Sequence, residues 1–239
     1  MPVEVPERGK AALKVSYTLK ESRGVLPEGF ALGFDEVALE TGENVNQIVK
    51  TILEKQTNSA PEVVEEDAYV ILSGGGWRYV YDKRTGLFDQ MVYGSQNLLE
   101  QPMNYNIWRA PTDNDRNIKK EWMEAQYDRT SARAYGTTVT EKDGCAVIES
   151  DLSVAAIYAQ RILEIHAEWT VAGDGTVDVR LDVARTPHFP FLPRFGLRLF
   201  LPGSMEKVTY CGIGPNESYK DKRQSGYHGV FRTECGGNV

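Results

Sequence analysis

Eight consecutive residues, Trp108-Arg109-Ala110-Pro111-Thr112-Asp113-Asn114-Asp115, bring an indole, a guanidinium, a proline and an Asp-Asn-Asp run into one short stretch. Asp and Asn side chains hydrogen-bond their own backbone and favour turns, and proline fixes φ and ends regular structure. The spacing predicts a positioned loop in which Arg109 pairs with Asp113 or Asp115. Such a pair braces a turn. The same residue types also offer acceptors for ligand hydroxyls and a ring for an apolar ligand face.

A second stretch, Tyr210-Cys211-Gly212-Ile213-Gly214-Pro215-Asn216-Glu217-Ser218-Tyr219-Lys220-Asp221, lies about a hundred residues further on. Its glycines and proline suit close backbone turns, with Glu217 and Asp221 as braces. Together the two stretches resemble the Arg-Ala-Pro-x-Asp-Asn-Asp and Gly-x-Gly-Pro-x-Glu-x-Tyr-x-Asp signatures of large β-galactosidases of the second glycoside hydrolase family. That family usually continues with arginine, whereas Lys222 precedes Arg223 here. Lysine cannot form a planar two-toothed ion pair.

The resemblance implies the end of an immunoglobulin-like β-sandwich over 1–45, a linker over 46–62, and part of the C-terminal super-sandwich domain, galactose mutarotase-like, over 63–239. It implies a share in the retaining hydrolysis of terminal β-D-galactosides such as lactose, with the rest of a longer enzyme as partner. By the same analogy Trp108, Asp113, Asn114, Asp115 and Arg116 are the residues nearest the substrate, at the active-site mouth. Arg109, Pro111, Gly212, Gly214, Pro215, Glu217, Tyr219 and Asp221 are structural. The family's two catalytic glutamates project from a β/α barrel, and no strand–helix alternation occurs in this sequence. The chain alone is therefore expected to be an inactive fragment with no catalytic residue, no metal and no cofactor of its own. Magnesium and sodium are common in the family.

Other chemistries find little support. Structural zinc and disulfide frameworks need closer or more numerous ligands than Cys145, Cys211 and Cys235 supply, so buried free thiols are expected. His166, His188 and His228 are too far apart for a local metal motif, and there is no Gly-x-Ser-x-Gly elbow. An epimerase of the mutarotase type would need His188 or His228 with a carboxylate in a groove. A free-standing carbohydrate-binding module is the other alternative. The net charge of -7 and the lack of a Lys/Arg cluster argue against nucleic acid or an anionic membrane as partner. No apolar run reaches the length of a membrane span, and the N-terminus lacks a signal-peptide layout, so a cytoplasmic location is expected.

The elements that must hold these residues are strands. Over 239 residues, 41% of them hydrophobic and 26% charged, the chain has ample material for a core. Leu13, Val15, Tyr17 and Leu19 alternate with polar residues, which predicts a strand from Ala11 to Lys20 with one buried face. Phe34, Val37 and Leu39 mark another. Alternation returns at Ala68, Val70 and Leu72, then at Trp77, Tyr79 and Tyr81 after Gly74-Gly75-Gly76, with a hairpin turn at Asp82–Gly86. Leu163 to Val171 and Val177 to Val183 form the clearest hairpin, around Ala172–Thr176, with His166 on its polar face. Phe195, Leu197 and Leu199 begin a further strand. Ile118 to Arg129 is the best helix candidate, with Glu121, Glu124 and Asp128 on one solvated face. The class is all-β and antiparallel, and an open sheet edge would invite pairing with another copy, giving a homo-oligomer.

Overall fold

A computed structural model describes residues 4–7, 9–41, 60–216 and 222–234. In chain order its strands are β1 (Ala11–Thr18), β2 (Ala31–Leu39), β3 (Glu62–Glu65), β4 (Tyr69–Gly74), β5 (Trp77–Asp82), β6 (Leu87–Tyr93), β7 (Gln96–Asn97) and β8 (Gln101–Asn106). After the helix α1 (Lys119–Glu124) come β9 (Thr130–Lys142), β10 (Cys145–Ala156), β11 (Leu163–Ala172), β12 (Val177–Arg185), β13 (Gly196–Phe200), β14 (Lys207–Gly214) and β15 (Tyr227–Glu234). Every strand pairing among the described residues is antiparallel. The all-β class expected from the alternation is the class observed. Among the described residues no helix is long and apolar enough to cross a membrane.

The chain divides into two compact units, Leu53–Gly203 and the combination of Met1–Ile52 with Ser204–Val239. The larger unit holds a sheet in the order β3-β4-β5-β6-β7, a second in the order β12-β11-β10-β9, and the pair β13-β8. The two larger sheets bury their apolar faces together. Tyr81 and Phe88 from the first sheet meet Trp169 from the second, with Phe88 and Trp169 edge to face at 5.2 Å between ring centroids. The Tyr81 hydroxyl finds Ser150 on β10 at 2.9 Å, which satisfies both polar groups inside the core. Burial pushes the Tyr81 phenol up to about 12.

The β11–β12 hairpin shows why the alternation is so legible. Leu163, Ile165, Ala167, Trp169 and Val171 are all buried, whereas Glu164 and His166 between them are exposed. Its turn is clamped to the facing sheet, because Trp77 donates Nε1–H to the Gly173 carbonyl (3.0 Å) and the Tyr79 hydroxyl donates to that of Gly175 (2.9 Å). Gly175 has φ +87°, and a Cβ there would stand 3.0 Å from the Trp77 ring and from the Tyr79 oxygen. Only glycine meets both demands at once.

The smaller unit contains the hairpins β1-β2 and β14-β15. Lys14 lies over the Tyr227 ring at 3.3 Å, and Phe34 meets the same ring edge-on at 5.5 Å. The backbone N–H and the ring Nδ1–H of His228 both donate to the Glu36 carboxylate, which the histidine holds below the usual carboxylate range.

Three expectations need correction. Strand β1 forms, but the face carrying Leu13, Val15 and Tyr17 is 37–49% exposed, so alternation marked a strand without a buried side. The single helix expected from Ile118 to Arg129 is broken: α1 ends at Glu124, Gln126 takes a left-handed φ of 55°, and a 3-10 turn covers Tyr127–Arg129. Asp128 therefore does not share a helical face with Glu121 and Glu124. The thiols are not buried either, since Cys145 is half-buried and Cys211 exposed. Cys235 and most of the expected linker lie outside the described residues.

Candidate functional site

The loop after β8 begins where sheet pairing ends. Asn106 turns the chain by accepting the Trp108 N–H on Oδ1 (3.2 Å), and Ile107 is driven into the core with no exposure. Trp108 and Arg109 are half-buried, and Trp108 packs against the main core. Arg109 chooses Asp115. Its two terminal nitrogens donate to the two carboxylate oxygens at 2.6 and 2.9 Å, the planar fork that lysine cannot make. Asp115 also accepts the Thr112 N–H at 2.8 Å and the Thr112 hydroxyl at 3.0 Å, which closes a 3-10 turn over Asp113–Asp115. The Arg109 guanidinium, helped by Thr112, holds the Asp115 carboxyl below the usual carboxylate range.

The brace continues into a proline-rich segment that has no sheet of its own. Pro187, Pro190 and Pro193 prevent regular pairing, so the carbonyls between them need side-chain donors. Arg109 Nε–H donates to the Pro193 carbonyl (3.2 Å), Trp122 Nε1–H to that of Phe191 (2.8 Å) and the Tyr127 hydroxyl to that of Pro190 (2.7 Å). Trp122 is fully buried and Tyr127 1% exposed, with the Arg109 guanidinium 5.6 Å from the Trp122 ring centroid. Neither aromatic stood out as a site residue in the sequence. The signal available was three prolines at three-residue spacing, whose orphan carbonyls require donors from elsewhere in the fold.

The arrangement splits the five mouth candidates. Asp115 is buried and fully engaged by Arg109 and Thr112. Asp113, Asn114 and Arg116 are exposed beside it, and Trp108 is half-buried at the loop base. Pro111 is exposed at the turn entrance. The loop is thus anchored from below and presents carboxylate, amide and guanidinium groups outward.

In the second motif Gly214 is buried, and a Cβ there would meet the Tyr210 hydroxyl at 2.6 Å and the Phe231 ring at 2.9 Å. Gly212 faces no such obstacle, its nearest neighbour being Tyr210 at 3.8 Å. Pro215 is exposed and follows Gly214 through a cis peptide bond. Glu217, Tyr219 and Asp221 lie outside the described residues.

The histidines do not gather. His188 is exposed on the proline-rich segment, and His228 is engaged with Glu36. His166 sits on the outer face of β11, with Nδ1 2.8 Å from Asp151, its direct partner in the ladder. It is hydrogen-bonded to a carboxylate where a merely solvated side chain was expected. Among the described residues no three His, Cys, Asp or Glu side chains converge as a metal site requires.

Antiparallel sandwich and braced loop belong to a chain of known kind. The family model for the β-galactosidase small chain matches residues 73–238. A β-galactosidase of Actinobacillus pleuropneumoniae is 32% identical over 98% of this chain and 23% of its own length. One from Staphylococcus xylosus is 30% identical over 91% of this chain and 21% of its own. A third, from Lactobacillus delbrueckii subsp. bulgaricus, is 25% identical over 97% and 22%. This chain belongs to the β-galactosidase small-chain family. It spans less than a quarter of the length of each of these relatives.

Proposed function

We propose that the chain acts as a non-catalytic portion of a cytoplasmic β-galactosidase that hydrolyses terminal β-D-galactosides with retention. Its part is to shape the mouth of the sugar site and to support assembly. The observation that carries this reading is the bidentate Arg109–Asp115 pair, which fixes a loop with Asp113, Asn114 and Arg116 exposed upon it. Polar groups held rigidly from below lose little freedom when they bind hydroxyls, and Trp108 at the base offers an apolar face. Asp115 contributes as the tether and not as a sugar ligand.

Retention needs two carboxyl groups about 5–5.5 Å apart across the scissile bond. In this reading both stand on the remainder of the enzyme, the chain's principal partner, and the chain alone does not turn over substrate. The domain assignment of 1–45 to an immunoglobulin-like sandwich, 46–62 to a linker and 63–239 to a super-sandwich belongs to the same proposal. So does a homo-oligomer built on the parent. The magnesium and sodium common in the resembling family are assigned in this reading to the remainder of the enzyme.

The test is kinetic. In a longer relative carrying this chain in place of its own matching region, Asp113→Ala and Trp108→Ala should raise KM for a galactoside several-fold with smaller effects on folding. Unchanged kinetics in both variants would remove the loop from the sugar site.

A further inference from the structure

A groove of about 650 Å³ opens on the outer face of the β9–β12 sheet, at the end where β10 turns into β11. Ser131, Arg133, Tyr135, Ser153, Arg161 and Thr186 are among its lining residues, and no carboxylate is. That is notable in a chain whose net charge is -7. The local geometry is built. The ladder between β9 and β10 shifts register between Asp151 and Leu152, pairing them with Gly136 and Ala134, so Tyr135 is the bulged residue. A bulge re-aims a side chain, and such bulges gather beside functional sites. Here the Tyr135 hydroxyl meets Ser153, itself 3% exposed, at 2.9 Å.

Two guanidiniums stand against the same ring, Arg161 at 4.6 Å and Arg133 at 5.7 Å from its centroid. Sharing one ring places the two guanidinium carbons at most about 10 Å apart. No carboxylate among the described residues pairs with Arg133, and Arg161 has only an exposed contact of 3.3 Å with Glu164. Like charges are placed side by side at a cost unless an anion joins them. The Ser153 hydroxyl and then the two arginines hold the Tyr135 phenol below its ordinary value.

The lip of the groove adds a second observation. Tyr158 has a left-handed φ of 60° and is fully exposed, and Ile157 beside it is 71% exposed. A non-glycine residue in that region is strained, and neither side chain gains burial in return. The loop base is nonetheless fixed, since the Thr186 hydroxyl donates to the Arg161 carbonyl at 2.8 Å and the Ile162 N–H to that of Val154 at 2.9 Å.

We propose that this groove is a binding site for a small hydroxylated molecule with a phosphate or carboxylate head, the anion clasped by Arg133 and Arg161 and the body lying along Ser131, Gln160 and Thr186. Guanidinium forks match both kinds of oxyanion, and serine, threonine and amide groups suit hydroxyls. The site is independent of the galactosidase reading.

The experiment is calorimetric titration of the chain, at low ionic strength, with inorganic phosphate, glucose 6-phosphate, glucuronate and glucose. One-to-one saturation by glucose 6-phosphate or glucuronate is expected, tighter than by inorganic phosphate, with no saturation by glucose. Whichever of the two sugars binds identifies the head group. R133Q and R161Q should each weaken binding roughly tenfold, the loss of one charge-assisted contact. R180Q, on the same sheet outside the groove, should leave it unchanged. Both arginines are exposed, so unaltered circular dichroism is expected to accompany the loss. Lack of saturation by every anion, or undiminished binding in the R133Q/R161Q double variant, would overturn the site. Equal affinity for inorganic phosphate and glucose 6-phosphate would overturn the role given to the hydroxyl rim.

Discussion

Asp115 shows how one carboxylate organises a loop. It accepts from Arg109 twice and from Thr112 twice, so its charge is matched and its lone pairs are used. Arg109→Lys should therefore destabilise by about 1–2 kcal/mol in denaturant unfolding, because an ammonium replaces the fork but keeps the charge. Arg109→Gln, which leaves Asp115 without a cation, should cost more, on the order of 2–3 kcal/mol, still less than for a fully enclosed pair. The sign with pH follows from a folded carboxyl that is lowered: its contribution is present above the unfolded carboxylate range near pH 4 and is lost as pH falls through the lower folded value. Wild type should lose stability on acidification faster than Arg109→Gln does. His166 has the opposite sign. Donating a hydrogen bond to the Asp151 carboxylate raises its imidazole, so its contribution is complete below the unfolded value and fades as pH rises through the folded one. A proton NMR titration should find the His166 midpoint above that of a free histidine, and Asp151→Asn should bring it down.

At the scale of elements, the segment from Pro187 to Pro193 depends on donors that come from α1, the 3-10 turn after it and the loop after β8. Trp122→Phe keeps most of the ring but leaves the Phe191 carbonyl unpaired, and should cost about 1–3 kcal/mol. Tyr127→Phe should cost about 1 kcal/mol by the same reasoning at Pro190. If both variants unfold like wild type, the segment is held by something other than these bonds. Gly175→Ala is expected to destabilise by about 1–3 kcal/mol, since the turn demands a positive φ and the Trp77 ring occupies the space. What could be read in advance follows from these examples. Strands β4 and β11 were legible because their two faces differ, one buried in the core and one more open, and β12 because its inner face packs partly on that core. The exposed face of β1 was not, since alternation records two chemically different sides without saying what covers either. The helix was over-extended because nothing in the side chains of 118–129 announces the left-handed turn at Gln126. That Arg109 pairs with an aspartate was evident from spacing, but the choice of Asp115 over Asp113 depends on the turn Thr112 nucleates. The anchors Trp122 and Tyr127 were hidden because their partners are backbone carbonyls some sixty to seventy residues away.

For the whole molecule, two packed antiparallel sheets supply a rigid platform, and the braced loop is mounted on it where β8 runs out. In the proposed reading this platform has a supporting role in a larger enzyme, with Arg109, Thr112 and Asp115 holding the loop in place. The relatives it matches are each more than four times its length, which leaves ample chain elsewhere for the reacting carboxylates. The most direct test is hydrolysis of a chromogenic β-galactoside, by this chain alone and by this chain mixed with a relative from which the matching region has been deleted. The account predicts silence from the chain alone and turnover in the mixture. Turnover by the isolated chain would contradict it, because the catalytic pair would then have to lie within these residues.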